Sequence, residues 1–160
     1  MTAVTAYIGL GANLGDTHAT LHAALAQLAG SAGVDDCTAS SFYRSAPIDA
    51  GGPDFINAVA RLRTTLDPLA LLDLLQRIEA SHGRERSYRN APRTLDLDLL
   101  RHGEQVLAHP RLTLPHPRMA ERAFVLAPLA ELAPDLRIDG RPIAERLAEL
   151  IDQPIIKLTD

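Results

Sequence analysis

Leu95, Asp96, Leu97, Asp98 and Leu99 alternate apolar and acidic side chains with a period of two. In a strand, successive side chains point to opposite faces. The three leucines therefore require a core on one side, while Asp96 and Asp98 share the other, roughly 7 Å apart along the chain. Aspartate is disfavoured in strands, and like charges on one face repel. A divalent cation is the usual way to offset that repulsion. Mg²⁺ suits such a pair, because it is typically held by one or two carboxylates together with substrate phosphates. A solvated strand face is the plain alternative. Arg84, Arg86, Arg89 and Arg93 lie just upstream. Beside paired acids they point to phosphate binding, on a loop placed to close over a site and exclude water. Taken without the acids, an ordinary charged loop is an equal alternative.

The 160 residues fit one domain, 1–160, and the 46% apolar content is enough for a core without disulfides or a structural metal. The net charge of −4 argues against general nucleic-acid binding. Fifteen of the sixteen basic residues are arginine, Lys157 being the exception. High-GC coding accounts for that total, and phosphate recognition for the cluster. Cys37 has no partner for a disulfide and reads as an inert buried thiol. The first residues carry neither a basic region nor a long apolar run, so no secretory leader is expected. No apolar stretch reaches membrane-helix length. The expectation is a soluble, cytoplasmic monomer.

The periodicities predict strands over 5–10, 37–44, 55–63 and 95–101, and helices from 17 to 29 and from 68 to about 82. Asp16 and the pair Asp67 and Pro68 supply helix starts. Loops fall at 45–53 and 84–92, and further helical segments near 121–132 and 143–150. The order β-α-β-β-α-β, followed by a C-terminal elaboration, predicts an α+β fold: a ferredoxin-like core with a mostly antiparallel sheet and packed helices. In the third strand, Ile56, Ala58, Ala60 and Leu62 face one way, and Phe55, Asn57 and Val59 the other. If the Asn57 face is also the Asp96 face, a ring-binding pair lies beside a metal-binding pair.

Other features carry less by themselves. Gln76 and Glu79 read first as exposed helix polarity. His116 reads first as a packing or capping histidine, and no histidine pair has convincing zinc spacing. Gly9, Gly11 and Gly15 lack the spacing of a dinucleotide fingerprint and read as a tight turn from strand to helix.

Three motifs together resemble a known family. They are Ser41, Phe42, Tyr43 and Arg44; the run from Pro92 through Arg93 to Asp98; and Pro115, His116, Pro117, Arg118 and Met119, followed by Glu121, Arg122 and Phe124. With the opening segment from Ala6 to Gly15, the chain resembles the 6-hydroxymethyl-7,8-dihydropterin pyrophosphokinases of folate biosynthesis. The resemblance implies transfer of pyrophosphate from ATP to the pterin hydroxymethyl group, releasing AMP. It implies two Mg²⁺ ions on Asp96 and Asp98, with Arg84 and Arg93 neutralising phosphate charge. It assigns Gln76, His116 and Arg122 to the triphosphate, Arg86 and Arg89 to the mobile loop that closes over ATP, and Leu99, Leu112 and Thr113 to the adenosine pocket. The pterin would stack between Phe55 and Phe124 and bond to Asn57 and to the backbone at Ser45, Ala46 and Ile48.

This chain departs from the family pattern at three places. Asn90 stands where the family often has Trp, Phe55 where it often has Tyr, and Ser45 and Ala46 where it often has Thr-Pro. Two other functions use some of the same residues. A metal-dependent phosphohydrolase or nuclease would use the aspartates and leave Phe55, Asn57 and Phe124 unexplained. A non-enzymatic ferredoxin-like sensor would leave the paired acids unexplained.

Overall fold

A computed structural model describes residues 2–46, 53–82 and 95–158. The expectations for Ile48, Arg84, Arg86, Arg89, Asn90 and Arg93 lie outside the described residues. The chain is a mixed α/β structure built on one six-stranded, antiparallel sheet. Its main elements are β1 (Val4–Ala12), α1 (Thr17–Ala29), β2 (Val34–Ala39), β3 (Tyr43–Ser45), β4 (Phe55–Thr64), α2 (Pro68–Ser81) and β5 (Asp96–His102). A C-terminal part follows, with β6 (Leu107–His109), β7 (Leu112–Leu114), a 3₁₀ turn (Met119–Glu121) and α3 (Ala123–Leu132). It ends with β8 (Arg137–Ile138), β9 (Arg141–Pro142), α4 (Ile143–Ala148) and β10 (Ile155–Lys157). The sheet order is β10-β3-β4-β1-β5, with β2 also pairing β4.

The helix starts follow from their capping residues. Asp16 accepts the Ala19 N–H at 3.1 Å, and Asp67 accepts that of Ala70 at 2.8 Å with Pro68 behind it. The apolar faces of β1, β4 and β5 (Ile8, Leu62 and Leu97 among them) form one core with Leu21, Leu28, Leu71 and Leu75 of α1 and α2. A second core lies across the sheet, where Val59 and Leu100 meet Leu126 and Leu129 of α3 and Ile143 of α4. The sheet is thus covered on both faces, which is why β4 is buried along nearly its whole length.

Two expectations need correction. The strand expected over 37–44 is divided into β2 and β3. At the break, the Ser40 hydroxyl accepts the Val59 N–H at 3.0 Å, while Ser40 N–H donates to Val59 C=O at 2.9 Å. A side chain has taken over one ladder bond, and the backbone turns away. The helix expected from 121 begins at Ala123, because Arg122 is extended (φ −125°, ψ 110°).

One carboxylate ties this broken edge to α3. Glu131 accepts the Ser41 N–H at 2.8 Å, the Ser41 hydroxyl at 3.1 Å and the Tyr43 hydroxyl at 2.8 Å, with Lys157 Nζ at 3.8 Å. Burial pushes the Glu131 carboxyl up, but these donors and the Lys157 charge outweigh it and hold the group below its ordinary 4.5. Its contribution to stability is therefore complete above that value and is lost as pH falls through the lower folded-state value. Glu131→Ala is expected to lower unfolding free energy by about 1–3 kcal/mol in urea titrations at pH 7. The difference from the parent should shrink as the titrations are repeated below pH 4.5.

Candidate active site

The site is set by the register of β1 with its two neighbours. Gly11 stands opposite Asn57 on β4 and Asp96 on β5. One pleat further, Gly9 stands opposite Val59 and Asp98. Asn57 and Asp96 thus share a row across three strands, on the order of 10 Å end to end. The middle strand of that row has no side chain. A Cβ on Gly11 would stand 3.3 Å from Asn57 Oδ1 and 3.8 Å from Phe55 Cδ1. The glycine is what lets these two groups lie over the floor. Reading Gly9 and Gly11 as a turn is therefore corrected: both lie within β1, and Gly15, at φ 67°, carries the turn.

Above this floor is a cavity of about 380 Å³. Ser45, Ala46, Phe55 and Asn57 line one side, Asp96 and Asp98 another, and Arg122, Phe124 and Val125 come down from the start of α3. Gly9, Leu10, Gly11, Asn13 and Ala58 complete the lining. Asn57 is buried, and its Nδ2 donates to the Ser45 hydroxyl at 2.7 Å, which fixes the plane of the amide. The Arg122 guanidinium lies 5.5 Å from the centroid of the Phe124 ring, a cation–π contact.

Of the expected pterin residues, Ser45, Ala46, Phe55, Asn57 and Phe124 are brought together around the cavity. So are both aspartates and Arg122. The other described residues expected for ATP, Gln76, Leu99, Leu112, Thr113 and His116, are not among its lining. Leu99 is 2% exposed, with its side chain in the core, so only its backbone is available to a ligand. Gln76 is exposed and accepts from Arg111 at 3.2 Å, and Arg111 also pairs with Asp73 at 2.6 Å. Arg111 immediately precedes Leu112 and Thr113 of β7, so its bonds to Gln76 and Asp73 tie α2 to the start of that strand. His116 is docked on β5 through its N–H to Leu100 C=O at 2.9 Å. Burial lowers its pKa; Asp98 opposes that shift, and Arg122 and Arg118 reinforce it.

Glu79 is buried at 6% exposure, which corrects its reading as exposed helix polarity. It accepts the N–H of Leu97, between the two aspartates, at 2.8 Å. Because β5 is an edge strand, this carboxylate takes the place of a further strand at that point. Its position beside the apolar stripe, four residues after Leu75, is the signal available in the sequence. Cys37 is half-buried, and burial, helped by Asp36, pushes its thiol up.

The donor set fits Mg²⁺. Asp96 and Asp98 offer hard oxygen ligands on one face, and no group of three or more metal-ligating side chains exists among the described residues. Two carboxylates completed by substrate phosphates is the arrangement Mg²⁺ favours. No helix among the described residues is long and apolar enough to cross a membrane.

The family model for 7,8-dihydro-6-hydroxymethylpterin-pyrophosphokinase (HPPK) matches residues 7–134. The chain belongs to this family. It is 45% identical over 157 residues to the 2-amino-4-hydroxy-6-hydroxymethyldihydropteridine pyrophosphokinase of Haemophilus influenzae, covering 97% of this chain and 98% of that protein. It is 50% identical over 144 residues to the enzyme of the same name from Pseudomonas aeruginosa, covering 89% of each. Among solved structures it is similar in fold to the Plasmodium falciparum HPPK-DHPS wild type with pterin and p-hydroxybenzoate, at TM-score 0.72 and 12% identity. That match covers 94% of this chain and 43% of the other, so the chain spans under half of that two-part protein. This HPPK-family chain is accordingly an enzyme of the pyrophosphokinase class, in folate biosynthesis. Glu79→Ala is expected to leave a buried N–H unpaired at Leu97 and to cost about 1–3 kcal/mol, read as a lower urea midpoint with an unchanged m-value.

Proposed function

We propose that the protein transfers the β,γ-pyrophosphoryl group of ATP to the hydroxymethyl group of 6-hydroxymethyl-7,8-dihydropterin. The products are the pterin diphosphate and AMP. The observation that carries this reading is the single cavity whose lining brings Phe55, Asn57 and Phe124 together with Asp96, Asp98 and Arg122. Two aromatic rings and a buried amide suit a flat, hydrogen-bonding heterocycle. Paired carboxylates and a guanidinium suit a polyphosphate with its metal. A phosphohydrolase would need the carboxylates and the guanidinium and have no use for the rings and the amide. The names of the Haemophilus and Pseudomonas relatives, and the crystal structure of the Plasmodium protein with pterin, support the same substrate.

In this reading Phe55 and Phe124 hold the pterin ring, and Asn57, fixed by Ser45, sets its orientation. Asp96 and Asp98 would hold two Mg²⁺ ions, which supply charge neutralisation and alignment of the triphosphate. Arg122, His116 and Gln76, with Arg84 and Arg93, are assigned to the phosphates, Arg86 and Arg89 to ATP, and Leu99, Leu112 and Thr113 to the adenosine. The hydroxymethyl oxygen attacks the β-phosphorus, the bond from that phosphorus to the α,β-bridging oxygen breaks, and AMP leaves from the far side. In-line transfer of this kind needs chiefly positioning and charge stabilisation. The order β5-β1-β4-β2, antiparallel throughout, supports a ferredoxin-like core in one domain.

Incubation with Mg²⁺, ATP and the pterin is expected to yield AMP and pterin diphosphate one for one, and to yield neither when EDTA replaces the metal. ADP and a pterin monophosphate would instead indicate an ordinary kinase. Asp98→Ala should lower kcat at least about a hundredfold, because it removes a metal ligand. Its circular dichroism and melting temperature should stay near the parent's, because Asp98 is exposed. Arg93→Ala should slow turnover far more than it weakens pterin binding.

A further inference from the structure

The start of α3 carries both Arg122 and Phe124, yet it is weakly built from its own residues. Arg122 occupies the cap position and makes no side-chain capping bond. Pro128 lies within the helix and has no N–H to donate to the carbonyl of Phe124, four residues back. A first-turn N–H that Arg122 does not cap is satisfied from far along the chain. Gln153 Oε1 accepts the Ala123 N–H at 2.9 Å, and Gln153 Nε2 donates to Glu121 C=O at 2.8 Å. One amide thus grips the backbone on both sides of Arg122. Gln153 is itself anchored, since its N–H donates to the carbonyl of buried Leu150 at 3.0 Å. Nearby, Arg146 Nε donates to Ala120 C=O at 2.7 Å.

We propose that Gln153, which does not line the cavity, is a positioning residue that sets the backbone of Arg122 and the angle at which Phe124 faces the pterin. The inference rests on the function proposed above for its consequence, but the placement of Phe124 can be read without any ligand. Gln153 acts by leverage: Arg122 is extended between a 3₁₀ turn and a helix, so rotation of either flanking peptide swings both side chains. The Gln153 amide bonds both flanking residues and is matched to them, donor to carbonyl and acceptor to N–H.

Fluorophenylalanine labelling of the full chain gives three probes, Phe42, Phe55 and Phe124. Phe42 packs on His18 and His22 in the other core and serves as the internal reference. In Gln153→Ala the Phe124 fluorine resonance should shift or broaden while that of Phe42 stays. Pterin Kd and KM should rise about three- to thirtyfold, with a smaller change in kcat. Gln153→Glu keeps the acceptor for Ala123 and loses the donor to Glu121, so it should fall between parent and Gln153→Ala; it carries the test if the alanine variant fails to fold. An unmoved Phe124 resonance, or a pterin Kd within about twofold of the parent's, overturns the proposal. Equal movement of all three resonances means general loosening and overturns it too. A parent protein that binds no pterin refutes the function proposed above, while the fluorine comparison still decides the role of Gln153.

Discussion

The pairing of β1 with β4 on one side and β5 on the other is the constraint on which the site depends. It places Asn57, Gly11 and Asp96 in one row and Val59, Gly9 and Asp98 in the next. A slip of one residue would send every one of these side chains to the opposite face. Such a slip is opposed by the core beneath, where Ala6, Ile8 and Leu10 alternate with the site-facing positions and are at most 3% exposed. Burial on one face thus fixes the chemistry on the other.

The second face is divided in two. Toward one end Val59 and Leu100 are covered by α3 and α4. Toward the other, the glycines of β1 leave a floor that no helix among the described residues covers, and the cavity forms there. The residues crossing from one half to the other are Arg122, Phe124 and Val125, which is why the first turn of α3 matters more than its length. Support for the cavity rim is long-range. Glu131 holds the segment leading to Ser45, Glu79 holds β5 between the aspartates, and Gln153 holds the peptides around Arg122. Each is a side chain satisfying backbone groups that the broken or edge elements leave unpaired. Irregular backbone is needed where a ligand must be approached, and these three residues bond it where regular ladders cannot.

Much of this is legible in the chain. The strand over 95–101 and the helix over 17–29 follow from periods of 2 and 3.6, and the helix starts from Asp16 and Asp67. Phe55, Asn57, Asp96 and Asp98 are readable as site residues because alternation assigns each to a face. The division of β2 from β3 is hidden, because a serine replaces a ladder bond without changing the apolar pattern. Gly9 and Gly11 mislead because glycine in a sequence signals turns more often than floors. The role of Glu79 is hidden too, since the donor it serves, Leu97 N–H, lies on another element.

The sequence by itself determined the elements, the faces their side chains take, and the kinds of chemistry available: paired carboxylates, guanidinium groups and aromatic rings with an amide. Those are local properties, set by periodicity and residue type. Tertiary structure alone decided which glycines floor the cavity, which carboxylates support it, and that Gln153 reaches back some thirty residues to the start of α3. Each depends on strand register or on a contact between distant segments. Both arise from the balance of burial and hydrogen bonding over the whole sheet, which no local pattern records.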